Sequence, residues 1–188
     1  MIEPFVAAFT LALIAEIADK TQLVILGLAI KYKSPFRVFS GALLAHAVMD
    51  GIAIALGAFF GFSLSSGLIK NLVGILFILL GIWTFVKFYF KKAKKEGKEI
   101  FNKTPLTTSF LTVLLSEFGD KTQIVSGLLA AKYLVPILIF IGFVSALAIA
   151  IGLNVFVGSK VAERIPRKII KIITAILFML FGIFTLLF

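Results

Sequence analysis

Two runs place carboxylates, lysines and amides inside otherwise apolar sequence: Glu16-Ile17-Ala18-Asp19-Lys20-Thr21-Gln22 and Glu117-Phe118-Gly119-Asp120-Lys121-Thr122-Gln123. Five of the seven positions are polar in each copy. Carboxylate and amide oxygens are hard ligands, suited to Ca2+ or Mn2+ and poor for soft metals. Glu16, Asp19, Gln22, Glu117, Asp120 and Gln123 are therefore the candidate metal ligands. Lys20 and Lys121 balance part of their charge, and Thr21 and Thr122 add polar groups. The chain has no cysteine and one histidine, which excludes thiolate sites and a histidine-rich zinc cage within one chain.

The surroundings make these residues expensive. Hydrophobic residues are 61% of the chain and charged residues 15%, with mean hydropathy +1.13, well above the balance of soluble domains. At about 2.5 to 3.5 kcal/mol for each Asp or Lys at the centre of a membrane helix, Asp19, Lys20, Asp120 and Lys121 alone would cost roughly 10 to 14 kcal/mol before pairing and hydration. A buried ion-pair network joining parts of the fold is the structural alternative. Polar glue in membranes usually needs only Ser, Thr or Asn, however, and intramembrane ionisable groups mark a pathway.

Apolar runs and their breakers predict six membrane-spanning helices, near Pro4 to Ile30, Phe36 to Phe62, Leu68 to Phe90, Pro105 to Ala131, Leu134 to Gly158 and Pro166 to Phe188. Thr104-Pro105 is a strong helix start, since threonine caps and proline has no amide hydrogen to satisfy. The acidic start Met1-Ile2-Glu3-Pro4 lacks the basic segment of a secretory signal, so the first helix is expected to be retained.

Adding 101 to a residue number in the first half returns its counterpart without a gap. Phe9 matches Phe110, Lys31-Tyr32 matches Lys132-Tyr133, and Gly41, Gly57 and Gly81 match Gly142, Gly158 and Gly182. The expected fold class is therefore an all-α integral membrane protein of two three-helix repeats, 1–90 and 105–188, joined by a basic cytoplasmic linker, 91–104. Three helices per repeat invert the second copy. Glu16 lies 12 residues beyond Pro4 and Glu117 12 beyond Pro105; at about 1.5 Å per residue, each motif sits roughly 18 Å along its helix, so both reach the midplane from opposite faces. In continuous helices Glu16, Asp19 and Gln22 share one face, Thr21 points away, and Lys20 pairs with Glu16.

Loop charge predicts orientation. With the N-terminus outside, cytoplasmic loops carry Lys31, Lys33 and Arg37, then Lys87 to Lys103, then Lys160 to Lys171, against only Lys70 and Lys132 outside. Both termini are expected to be extracellular in the cell membrane. The same asymmetry accounts for the +10 net charge without nucleic acid. Lys91-Lys92-Ala93-Lys94-Lys95 reads as a solvated loop beside lipid head groups.

The twin motifs give the chain a resemblance to the Gdt family of cation transporters, which includes Golgi manganese and calcium transporters and bacterial manganese exporters. That family carries Glu-x-Gly-Asp-Lys-Thr on the first and fourth of six helices. Glu117 to Thr122 fits completely, and the first copy departs at Ala18, where a packing change is expected. The resemblance spans essentially the whole chain. It implies exchange of Mn2+ or Ca2+ for protons and carries site roles to Glu16, Asp19, Lys20, Thr21, Glu117, Asp120, Lys121 and Thr122; Gln22 and Gln123 come from helical geometry.

His46 and Asp50 break the repeat, being replaced by Leu147 and Ile151. They read either as a proton relay or accessory ligand, or as a pair that satisfies itself within the bundle. Asn154 is a further asymmetric polar group, expected to act as packing glue. The alternatives to an antiporter are another cation or small-solute exporter on the same scaffold, and an intramembrane metal-dependent enzyme. The enzyme reading lacks a Ser-His or Cys-His nucleophile arrangement.

Overall fold

A computed structural model describes residues 2–17, 19–90, 104–157 and 167–187. Every regular element among them is helical: α1 (Ile2–Glu16), α2 (Lys20–Tyr32), α3 (Pro35–Ser63), α4 (Ser66–Phe90), α5 (Pro105–Glu117), α6 (Lys121–Tyr133), α7 (Pro136–Gly152), which continues into one π-helical turn (Leu153–Val157), and α8 (Arg167–Leu187). The lysine run at 91–95, Lys98, Lys103, Lys160, Arg164, Ala18 and the side chains of Lys20 and Lys87 lie outside the described residues.

Helix starts follow the sequence signals. Thr104 accepts a hydrogen bond from the Thr107 amide at 3.2 Å, with Pro105 opening α5. Helices α2 and α6 both end on a left-handed residue, Lys33 (φ 47) and Leu134 (φ 54), shortly before the prolines that open α3 and α7.

The expected first and fourth helices are each broken in two. Helix α1 stops at Glu16 and α2 starts at Lys20; α5 stops at Glu117 and α6 starts at Lys121. Asp19 (φ −73, ψ 161) and Asp120 (φ −76, ψ 168) are extended and stand at the N-caps of α2 and α6. Aspartate favours this place because its side chain competes for backbone donors and complements the positive end of the helix that follows. Asp19 does so at 3.5 Å from the Thr21 amide. The shared-face geometry of a continuous helix therefore does not hold across either motif.

Packing follows the 101-residue shift. Helix α1 lies along α7 and α5 along α3. Gly41 sits against the Leu106 carbonyl and Ser109, and its counterpart Gly142 against the Phe5 carbonyl and Ala8. Helices α4 and α8 pair similarly, Gly81 on the Ala175 carbonyl and Gly182 on the Gly74 carbonyl. None of these places has room for a Cβ, so glycine permits backbone approach, as in membrane helices generally.

Helix α3 packs closely along α6, with Gly57 on Gly127 and Gly61 on the Ala131 carbonyl. The positions that correspond to Gly57 and Gly61 in the second half, 158 and 162, lie outside the described residues.

Three helical segments are long and apolar enough to cross a membrane, Pro35–Ser63, Ser66–Val86 and Pro136–Phe156, and two shorter apolar helices cover Thr21–Tyr32 and Lys171–Leu187. Large apolar side chains such as Ile52, Leu56, Phe59, Phe60, Leu79 and Ile183 face outwards. So broad an apolar exterior needs lipid around it: this is an integral membrane protein.

Candidate cation site

The chain breaks at Glu16 and Glu117 bring four helix ends together. Helices α1 and α5 finish on the two glutamates, at the negative ends of their dipoles. In each copy the aspartate amide turns back to the glutamate carbonyl, Asp19 to Glu16 and Asp120 to Glu117, both at 3.0 Å. One carboxylate oxygen from each of Glu16, Glu117 and Asp120 lies within 4.8 Å of the others. Glu16 is fully buried and Glu117 nearly so. Among the described residues, both Glu16 oxygens and Glu117 Oε2 lack a hydrogen-bond partner. Buried acceptors left unpaired are costly, so the two glutamates, with Asp120 beside them, suit a bound cation or protons.

The other sequence-predicted residues divide between the copies. Lys121 Nζ crosses to Asp19 Oδ1 of the first motif at 2.9 Å and lies 3.5 Å from Asp120 Oδ2. Thr21 is buried and lies near Glu117 of the second motif. Thr122 is buried beside Lys121 in the first turn of α6.

The glutamines differ. Gln123 folds back on its own loop, donating from Nε2 to the Glu117 carbonyl at 2.6 Å and accepting the Gly119 amide on Oε1 at 3.0 Å. Gln22 is buried, and its Oε1 accepts from Asn154 Nδ2 at 2.9 Å. Both side-chain oxygens thus accept from protein donors.

His46 and Asp50 lie on α3, nearly fully buried. They are not paired with each other by any hydrogen bond among the described residues. Ser126 of α6 donates to Asp50 Oδ1 at 3.2 Å, while Asp50 Oδ2 and His46 Nε2 have no partner there. Ser126 escaped the sequence reading, although a signal existed: its counterpart is Ile25, just as the counterpart of Asp50 is Ile151. A polar pair in one half replaces an apolar pair in the other. Asn154, expected only as glue, holds Gln22 from the π-helical turn of α7.

Glycine in the motif also has a different reason from packing. Gly119 has φ +73 and nothing within 4 Å of an added Cβ, so its role is conformational.

Buried glutamates without hydrogen-bond partners at broken membrane helices are the chemistry expected of a cation transporter. The family profile described as "Divalent cation/proton antiporter GDT1" matches residues 4–92 and 105–188, and the chain belongs to that family. It is a transporter and not an enzyme. A protein of Vibrio cholerae serotype O1 described as "Putative manganese exporter" is 30% identical over 180 residues, covering 95% of this chain and 88% of its own. No solved structure matches the chain.

Proposed function

We propose that the protein exports Mn2+, with Ca2+ as a second substrate of the same oxygen-ligand chemistry, in exchange for protons at one site shared by its two halves. The observation that carries this reading is the convergence of Glu16, Glu117 and Asp120 from both motifs. The Vibrio cholerae relative, described as a manganese exporter, supports the choice of cation and direction. Asp19 joins the ligand set in part of the cycle, and Gln22 and Gln123 position the two loops.

The scaffold is two inverted three-helix repeats. The broken pairs α1–α2 and α5–α6 form the first and fourth of six spans, with α3, α4, α7 and α8 as the others. The paired contacts Gly41–Leu106 and Gly142–Phe5, related by the 101-residue shift, support this symmetry, as do the two matched segments of the family profile. Loop lysines support termini outside and the 91–104 linker inside.

Transport is by alternating access. The close α3–α6 contact at Gly57 and Gly61 supports a state closed along that interface, and its opening delivers the site to the other face. Four motif carboxylates and two lysines leave a net charge of −2. One divalent cation or two protons cancel that charge equally well, which favours two protons per cation. Asp50, held by Ser126, and His46 are the candidate relay.

Reconstituted protein is expected to accumulate Mn2+ and Ca2+ against an opposing proton gradient, and Mg2+ poorly because it sheds water reluctantly. Absence of proton-driven uptake of either cation would reject the reading.

A further inference from the structure

Lys121 is surrounded by the groups proposed to take the metal. Its ammonium lies 2.9 Å from Asp19 in one motif and 3.5 Å from Asp120 in the other. Its side chain is only 14% exposed, and the Glu16 and Glu117 carboxylates act on it and it on them. The group therefore satisfies carboxylates from both halves at once, as a small cation would. A lysine ammonium is a compact point charge on a flexible stem of four carbons, so it can reach this position and also leave it. A divalent cation among Glu16, Glu117 and Asp120 would be strongly repelled by an ammonium at Asp120, because like charges in poorly hydrated surroundings are weakly screened.

We propose that Lys121 is a tethered cation that neutralises the carboxylates of both motifs while no metal is bound and is displaced from Asp120 when the divalent cation arrives. The lysine stays charged throughout and no bond is made or broken. Its work is on the return half of the cycle: it lets the metal-free carrier cross without an extra uncompensated negative charge. This rests on the exchange reading above. Lys121 is a positioning residue for the cycle and not a metal ligand.

Two flux modes separate this role from a structural one. Exchange of labelled Mn2+ for unlabelled Mn2+ across a proteoliposome membrane needs only the loaded carrier to cross, whereas proton-driven net uptake also needs the metal-free carrier to return. Lys121→Gln is expected to lower the half-saturating Mn2+ concentration for exchange by about tenfold, since a competing charge is gone, to preserve exchange, and to lose most net uptake. Lys121→Arg keeps the charge and grips Asp19 with a planar fork; it is expected to raise the half-saturating concentration while retaining net uptake better than the glutamine variant. If the glutamine variant does not fold, the arginine variant alone decides by the direction of that shift. Equal loss of both modes in the glutamine variant, no change in either, or unaltered Mn2+ half-saturation in both folded variants would overturn the proposal. Failure of the parent protein to couple Mn2+ to protons would instead reject the exchange reading itself.

Discussion

The two motifs are alike in residue type and spacing but differ in their surroundings. In the second, Gln123 staples its own loop, Gly119 takes a left-handed turn, and Lys121 reaches into the other half. In the first, Gln22 is tied to Asn154 of α7. The α3–α6 interface that supports the second motif carries the polar pair Asp50 and Ser126, where the counterpart positions hold Ile151 and Ile25. The same residue types at the same spacing thus stand in two different environments. Buried glutamates are common to both motifs; the Gln123 hydrogen bonds to its own loop and the Asp50–Ser126 pair are not.

The largest expected effects fall on the shared part. Glu16→Gln and Glu117→Gln should each reduce proton-coupled Mn2+ flux by at least about 100-fold, the upper range seen even for outer-shell changes at metal sites, with protein still folded in the membrane. Asp120→Asn should follow them closely. If either glutamine variant retains parental flux, the two motifs do not share one site.

Next comes the asymmetric part. Asp50→Asn should depress proton-driven uptake while sparing Mn2+–Mn2+ exchange. Placing aspartate at its counterpart, Ile151→Asp, should fail to restore uptake to that variant, because Ile25 offers no hydroxyl there. Restoration would make the two interfaces equivalent.

Smaller effects test packing and turns. Gly57→Ala drives a methyl onto the Gly127 backbone; overpacking of this kind costs about 1–3 kcal/mol and should shift the carrier away from the α3–α6 closed state, read as greater labelling of cysteines introduced near Gly61. Gly119→Ala has open space but the wrong backbone angle, a cost of about 1–2 kcal/mol, visible as a modest fall in thermal midpoint. Gly41→Ala, against a backbone carbonyl, should cost more than Gly119→Ala.

Much of this was legible from residues alone. The motif residues, the repeat shift and the proline-marked starts of α3, α5 and α7 all follow from local chemistry. The helix ends at Glu16 and Glu117 are hidden in the sequence, because apolar runs on both sides of each motif read as one continuous helix. The capping signal of Asp-Lys-Thr was present: aspartate two residues before threonine is a helix start wherever lipid is not the neighbour. The glutamines could not be separated by sequence, since Gln22 and Gln123 occupy equivalent positions and only tertiary neighbours distinguish them. Ser126 was readable in principle by asking where polar residues depart from the repeat together, as Asp50 and Ser126 do.

Whether both halves build one cation site is decided by counting the Mn2+ bound per chain by electron paramagnetic resonance. One tightly held ion per chain is expected in the parent protein, with loss of that ion in Glu16→Gln and in Glu117→Gln alike and no further loss when the two changes are combined, as for residues acting on one ligand. Two ions per chain, with each variant losing one and the double variant losing both, would contradict a single shared site.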